Sequence, residues 1–167
     1  MSARIGYLGL GSNVGDREAH LRAAVEALRD HGVEVEATSS IYETEPVGEI
    51  LDQPDFLNAA VRIRTEMEPE ALLDLCKAIE VEQGRMLGAP RHGPRPLDID
   101  LLLLGDLRLD SDRLTLPHPQ VTRRRFVLEP LVELDPHLAL PDGSRLAEAR
   151  AALGEDQRVE RVGCLRA

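Results

Sequence analysis

Arg91-His92-Gly93-Pro94-Arg95-Pro96-Leu97-Asp98-Ile99-Asp100 runs without a break into Leu101-Leu102-Leu103-Leu104, and the reading of this stretch decides the fold. Two prolines and a glycine forbid a helix through the first half, while the short, unbroken apolar run of the second half favours a buried strand. Period-two geometry then places Asp98 and Asp100 on one face and Leu97, Ile99, Leu101 and Leu103 on the other. Two carboxylates one strand step apart repel each other. Either they fray into solvent, the ordinary state of a bare D-x-D, or a divalent cation removes the conflict. Arg85, Arg91 and Arg95 stand on the preceding loop, and forked guanidinium donors beside such a pair favour a cation that carries phosphate. Mg²⁺ fits because it takes one or two carboxylates together with phosphate oxygens and retained waters.

Working outward, the periodicities give β-α-β-β-α-β. Arg4 to Leu10 reads as a strand, and Gly9-Leu10-Gly11-Ser12-Asn13-Val14-Gly15 after it reads as a turn that also lets backbone approach a ligand. A dinucleotide fingerprint is rejected there, because valine stands at 14 and no parallel unit follows. Leu21, Ala24, Val25 and Leu28 recur at helical spacing between Asp16 and His31, and Gly32 stops the helix. Val33, Val35 and Ala37 alternate with Glu34 and Glu36 in a strand that continues toward Ile41 and Tyr42. Thr44 to Pro54 is loop by composition.

Phe56 to Thr65 is the next strand, with Leu57, Ala59, Val61 and Ile63 on one face and Phe56, Asn58, Ala60, Arg62 and Arg64 on the other. Pro69 opens a second helix with Leu72, Leu75 and Ile79 as its buried stripe. This order predicts an α+β, ferredoxin-like fold with an antiparallel sheet and both helices on one face. Phe56, Asn58, Asp98 and Asp100 then emerge together on the opposite face. One domain is expected over residues 1–167, with a core at about 4–104 and an extension at about 105–167 that folds over the open face. Within the extension, Leu128 to Leu134 and Ser144 to Leu153 read as helical and Arg158 to Val162 as a short edge strand.

Composition narrows the functional classes. The net charge of −10 over 167 residues argues against a nucleic-acid surface, which needs a broad basic face. Lys77 is the single lysine among 20 basic residues, so phosphate must be handled by arginine, and a Walker A loop is excluded. No apolar run approaches the roughly 20 residues of a membrane helix and no secretory leader pattern is present, so a cytoplasmic protein is expected. Cys76 and Cys164 fit neither a metal knuckle nor a redox pair and read as reduced thiols. The chain has four aromatics, Tyr7, Tyr42, Phe56 and Phe126, and neither phenylalanine falls on an assignable core stripe. The Arg123-Arg124-Arg125 run is either solvated charge or the counterpart of a polyanionic ligand.

Gly93-Pro94-Arg95-Pro96-Leu97-Asp98-Ile99-Asp100 resembles the signature of the 6-hydroxymethyl-7,8-dihydropterin pyrophosphokinases of folate biosynthesis. Gly11-Ser12-Asn13, Asp52-Gln53-Pro54-Asp55-Phe56-Leu57-Asn58-Ala59 and Leu116-Pro117-His118-Pro119 resemble further blocks of that family, in the same order. The resemblance implies diphosphate transfer from ATP to the hydroxymethyl oxygen of the pterin, releasing AMP. It implies Arg85, Arg95, Asp98 and Asp100 as catalytic residues, with Asp98 and Asp100 holding Mg²⁺, two ions per site. Thr44, Val47, Phe56, Asn58, Asp98 and Phe126 fall at pterin positions. Glu80, Arg95, Leu101, Arg113, Thr115, His118 and Arg124 fall at ATP positions. A monomer is expected, with the two small-molecule substrates as its partners and no nucleic acid or membrane.

Three departures from the family pattern stand out: Leu87 where a second loop arginine is frequent, His92 where some relatives carry an aromatic, and Phe56 where tyrosine is common. Gly84, Gly88 and Gly93 would let the arginine-bearing loop act as a lid. Two rival readings are a ligand-binding module without turnover, which would not need Asp98 or Asp100, and another Mg²⁺-dependent enzyme, which would not need Phe56, Asn58 and Phe126.

Overall fold

The computed structural model of the protein describes residues 3–45, 53–84, 96–153 and 158–165. Val47, Arg85, Leu87, Arg91, His92 and Arg95, together with the expected lid, lie outside the described residues.

The core is built from β1 (Arg4–Ser12), α1 (Arg17–Asp30), β2 (Glu34–Thr38), β3 (Ser40–Thr44), β4 (Phe56–Thr65), α2 (Pro69–Glu82) and β5 (Asp98–Leu104). There follow β6 (Leu109–Asp110), β7 (Thr115–Leu116), α3 (Arg125–Leu134), α4 (Leu146–Ala152) and β8 (Val159–Cys164). The main sheet runs β5-β1-β4-β3-β8, with β2 also on β4, and every pairing is antiparallel. This is the expected ferredoxin-like order, extended at the β3 edge by β8. β6 and β7 make a separate two-stranded ladder. Among the described residues no helix is long and apolar enough to cross a membrane.

Local chemistry explains the ends of the helices. Asp16 caps α1 by accepting the Ala19 amide at 3.1 Å, and Gly32 adopts a φ of 83° just past the last turn, a conformation glycine takes without penalty. In α2 Pro69 occupies the first turn, where a missing N–H costs nothing. Both helices cover one face of the sheet. There Leu21, Val25 and Leu28 of α1 and Leu72, Cys76 and Ile79 of α2 pack on Leu8, Leu10, Val61 and Ile63. A second core lies on the other face, where Leu128, Leu131 and Val132 of α3 and Leu146 of α4 meet Tyr7, Ala60, Leu102 and Leu103. The extension thus folds over the open face, as expected.

Three local readings are corrected. Leu103 was expected on the helix face with Leu97, Ile99 and Leu101, but it lies in the second core. Tyr7 pairs with Leu103 and Leu8 with Leu101, leaving Leu102 as an extra residue. A bulge of one residue reverses the alternation, so Leu102 and Leu103 both serve the extension side while Leu104 returns to the helix side. Secondly, β1 continues to Ser12, so Gly9 and Gly11 are strand residues and the turn falls at Gly15, whose φ is 75°. Thirdly, the second strand breaks at Ser39, whose amide donates to the Ala60 carbonyl at 2.9 Å and whose Oγ accepts the Ala60 amide at 2.8 Å. The side chain takes one rung of the ladder that the backbone would otherwise supply.

Candidate active site

Cross-strand register assembles the site on the extension-facing side of the sheet. Gly11 of β1 pairs with Asn58 of β4 and with Asp98 of β5, and Gly9 pairs with Ala60 and Asp100. Two glycines on the middle strand leave a trough between the flanking side chains. A Cβ at Gly11 would stand 2.9 Å from Asn58 Oδ1, closer than real contacts allow, whereas one at Gly9 would meet Leu102 Cδ1 at 3.4 Å. Asn58, 7% exposed, donates from Nδ2 to Thr44 Oγ1 at 2.6 Å. That bond orients the amide so that Oδ1 faces the trough above Gly11.

The trough floors a pocket of about 740 Å³, including its open mouth. Thr44, Phe56, Asn58, Asp98, Asp100, Arg124 and Phe126 all line it. The Arg124 guanidinium lies 5.7 Å from the centre of the Phe126 ring, within range of a cation–π contact. Phe56 is delivered by a braced approach to β4. Asn13 Nδ2 donates to Gln53 Oε1 at 2.8 Å and to the Pro54 carbonyl at 3.1 Å. Arg17 donates to Glu43 at 2.9 Å and to the Asp55 carbonyl at 3.0 Å.

A second hollow opens on the far side of the two aspartates, lined by Lys77, Glu80, Asp98, Asp100, Leu101, Arg113, Thr115 and His118. Asp98 and Asp100 therefore stand at the junction of two pockets. Between them, the Ile99 amide donates to Glu80 Oε2 at 2.7 Å. Glu80, only 4% exposed, thereby ties α2 to the strand that carries both aspartates. Leu101, which lines this hollow, is buried in the helix-side core. Arg113 pairs with Asp74 and, at 3.8 Å, with Glu70 of α2. Among the described residues no group of three or more His, Cys, Asp or Glu side chains is disposed to hold a metal ion. The aspartate pair is a partial donor set of the kind Mg²⁺ completes with phosphate and water.

His118 is fixed from two sides. Its amide donates to the Leu102 carbonyl at 2.9 Å, and its Nδ1 accepts the Gln120 amide at 3.1 Å. Nδ1 acting as acceptor leaves the proton of the neutral ring on Nε2. Burial holds the ring below its ordinary pKa, the positive charge of Arg124 adds to this, and Asp98 opposes it.

The arginine run divides. Arg124 lines the pocket, Arg125 pairs with Glu129 at 3.3 Å, and Arg123 is exposed. Of the three, Arg124 alone lines the pocket. Several lining residues escape sequence reasoning: Glu45, and Val127 and Pro130 of α3. Glu45 and Pro130 carried no signal. Gly9 and Gly11, expected to approach a ligand from a turn, do so from β1, where glycines at alternate positions bare one face.

Residues 7–136 match the sequence model of a family described as 7,8-dihydro-6-hydroxymethylpterin-pyrophosphokinase (HPPK). A Methylorubrum extorquens protein named 2-amino-4-hydroxy-6-hydroxymethyldihydropteridine pyrophosphokinase is 46% identical over 157 residues, 93% of this chain and 97% of the relative. A Bacillus subtilis protein of the same name is 49% identical over 131 residues, 78% of this chain and 77% of the relative. The Folate synthesis bifunctional protein of Arabidopsis thaliana is 47% identical over 127 residues, which make up 76% of this chain and only 26% of that protein. In fold, the chain is similar to a crystal structure of an HPPK-DHPS in complex with substrates, with a TM-score of 0.72 and 14% identity over 91% of this chain and 43% of the other.

Proposed function

Because the chain belongs to the 7,8-dihydro-6-hydroxymethylpterin-pyrophosphokinase family, we propose that it transfers diphosphate from ATP to 6-hydroxymethyl-7,8-dihydropterin, a step of folate biosynthesis. The single observation that carries this reading is that Asp98 and Asp100 stand where two pockets meet. One pocket is flanked by two phenylalanines and an oriented amide, the other by basic and hydroxyl groups. The longer bifunctional relatives contain a second part that this chain does not match, and no activity of that part is assigned to it.

The pterin lies in the trough. Asn58 and Asp98 flank Gly11 on the two neighbouring strands, about 10 Å apart at usual strand spacing, a span suited to a flat bicycle. Phe56 and Phe126 supply ring faces, Asn58 Oδ1 accepts from the ring's N–H groups, and Asp98 meets the hydroxymethyl end. ATP lies in the second hollow. There the His118 Nε2–H and the Thr115 hydroxyl offer hydrogen bonds, Arg113 offers charge, and Glu80 and Leu101 bound the site, while Arg124, on the lining of the first pocket, keeps the ATP role that the resemblance gives it. Val47, Arg85 and Arg95 retain the pterin and phosphate roles that the resemblance gives them.

In the reaction the hydroxymethyl oxygen forms a bond to the β-phosphorus, the bond from that phosphorus to the oxygen bridging it to the α-phosphorus breaks, and AMP leaves. The hydroxyl proton departs toward Asp98. Asp98 and Asp100 would hold Mg²⁺, two ions, which when bound neutralises phosphate charge and aligns the attacking and leaving oxygens. The chain's own share is placement: the slot fixes the nucleophile, and the arginines meet charge that moves onto the leaving group. We further propose that residues 1–167 act as one catalytic unit, as a monomer, in the cytoplasm.

The test is incubation with Mg-ATP and 6-hydroxymethyl-7,8-dihydropterin, following nucleotides by chromatography. AMP formed only when the pterin is present is the expected result. ADP formation, or tight pterin binding without turnover, would overturn it.

A further inference from the structure

Glu133 lies on α3, away from both pockets, yet it gathers an unusual set of partners. Its Oε2 accepts the Ser40 amide at 2.9 Å and the Ser40 hydroxyl at 3.0 Å, and its Oε1 accepts the Tyr42 hydroxyl at 2.5 Å. All three donors belong to β3 and all three are neutral. Glu133 is itself exposed, but Ser40 and Tyr42 are buried, so the carboxylate is held by three bonds at once and its loss strands buried donors. The Arg161 guanidinium of β8 adds an attractive field to Glu133 from a third element.

The two elements joined here are the two sides of the proposed pterin pocket. Helix α3 brings Phe126, Val127 and Pro130 to it, and β3 brings Thr44. Tyr42 stands opposite Asn58 in the β3–β4 ladder, and Thr44 opposite Phe56. Thr44 in turn receives the amide that orients Asn58. A chain of bonds thus runs from α3 through Glu133 to β3 and so to the amide on the floor. Pro130 also lacks the N–H that a regular helix would direct at the Phe126 carbonyl. The N-terminal turn of α3 is therefore less well held by its own backbone and depends more on anchors further along.

We propose that Glu133 is a positioning residue for the pterin slot, setting the distance between the Phe126 wall and the Asn58 floor through Ser40 and Tyr42. A planar ring tolerates little change in such a gap, and small misplacements of a reacting group cost rate steeply. The nucleotide hollow takes no residue from α3, so the effect falls mainly on the pterin.

The proposal rests on the pterin assignment of the pocket, so wild type is assayed first: failure to form AMP refutes that assignment. Given wild-type turnover, Glu133→Gln, which meets at least one donor with its own N–H, is expected to raise KM for the pterin about tenfold, with KM for ATP within about twofold. Tyr42→Phe keeps the ring and removes one donor, and gives a smaller rise of the same selectivity should the first variant fail to fold. An independent readout is the ultraviolet ionisation of tyrosine. Burial, then the Glu133 bond and charge, and then Glu129 raise the Tyr42 phenol above its ordinary range, with Arg161 opposing. Glu133→Gln should move this ionisation down, as seen by difference against Tyr42→Phe. Unchanged pterin KM in every variant that folds, or equal rises for both substrates alongside a lowered melting temperature, would overturn the proposal.

Discussion

At the scale of single residues, the site depends on what is missing as much as on what is present. Gly11 has no Cβ, and the 2.9 Å that one would leave to Asn58 Oδ1 makes Gly11→Ala a direct test of the trough. It should raise pterin KM about tenfold, by displacing an amide whose bond is worth about 1 kcal/mol or more, while Gly9→Ala has a smaller effect. Asp98→Ala and Asp100→Ala should each lower AMP formation about a hundredfold or more, since the charge-stabilising centre is lost. Retained activity in both variants would sink the metal role. The thiols give a third test. Cys76 is buried, and burial, then Glu80 and Asp100, push its pKa up to about 12, with Lys77 opposing, whereas Cys164 is exposed. A thiol reagent should label one cysteine in the native protein and two in denaturant.

At the scale of elements, the order β-α-β-β-α-β was legible because each segment kept one period over enough residues to be read. Leu103 was not, because a run of four leucines looks the same whichever way it faces. The bulge at Leu102 is a property of two strands in register, and no single strand encodes it. The site divides in the same way. Asp98 and Asp100, and Phe56 and Asn58, were readable because they sit at short spacings within one strand, whereas Ser40, Tyr42 and Glu133 meet only after α3 has crossed the sheet. Glu80 belongs to the second kind, joining α2 to β5 through the Ile99 amide. Glu80→Ala should destabilise the protein by about 1–3 kcal/mol, the cost of a buried donor left unpaired, as measured by chemical denaturation. The exposed Glu82 on the same helix should tolerate alanine without measurable change.

For the whole molecule, His118 ties acidity to global stability. Its pKa is lowered in the folded protein, so as pH falls below the unfolded value near 6.5 the unfolded chain takes up a proton before the folded one does. Stability therefore falls with pH between the unfolded value and the lower folded value, and is unaffected by this group above about 6.5. His118→Gln, which cannot titrate, should flatten that part of the stability–pH curve; an unchanged slope would show that the ring is not held neutral by its surroundings. The sequence placed His118 between two prolines and so gave its stiffness, but the Arg124 charge and the burial that lower its pKa come from packing that only the folded extension creates.

The pairing of β8 with β3 has a consequence for how the chain is made. A ribosome delivers β3 early and β8 late, and until the latter emerges the β3 side of the sheet offers unpaired amides and carbonyls to any passing strand. Ser39 and Thr38 wait for the same segment, since the Leu165 amide donates to the Ser39 carbonyl at 3.3 Å and Thr38 donates its hydroxyl to the Leu165 carbonyl. Synthesis of the intervening residues is thus the interval in which the nascent protein is most open to mispairing and to chaperones, and the final strand closes it.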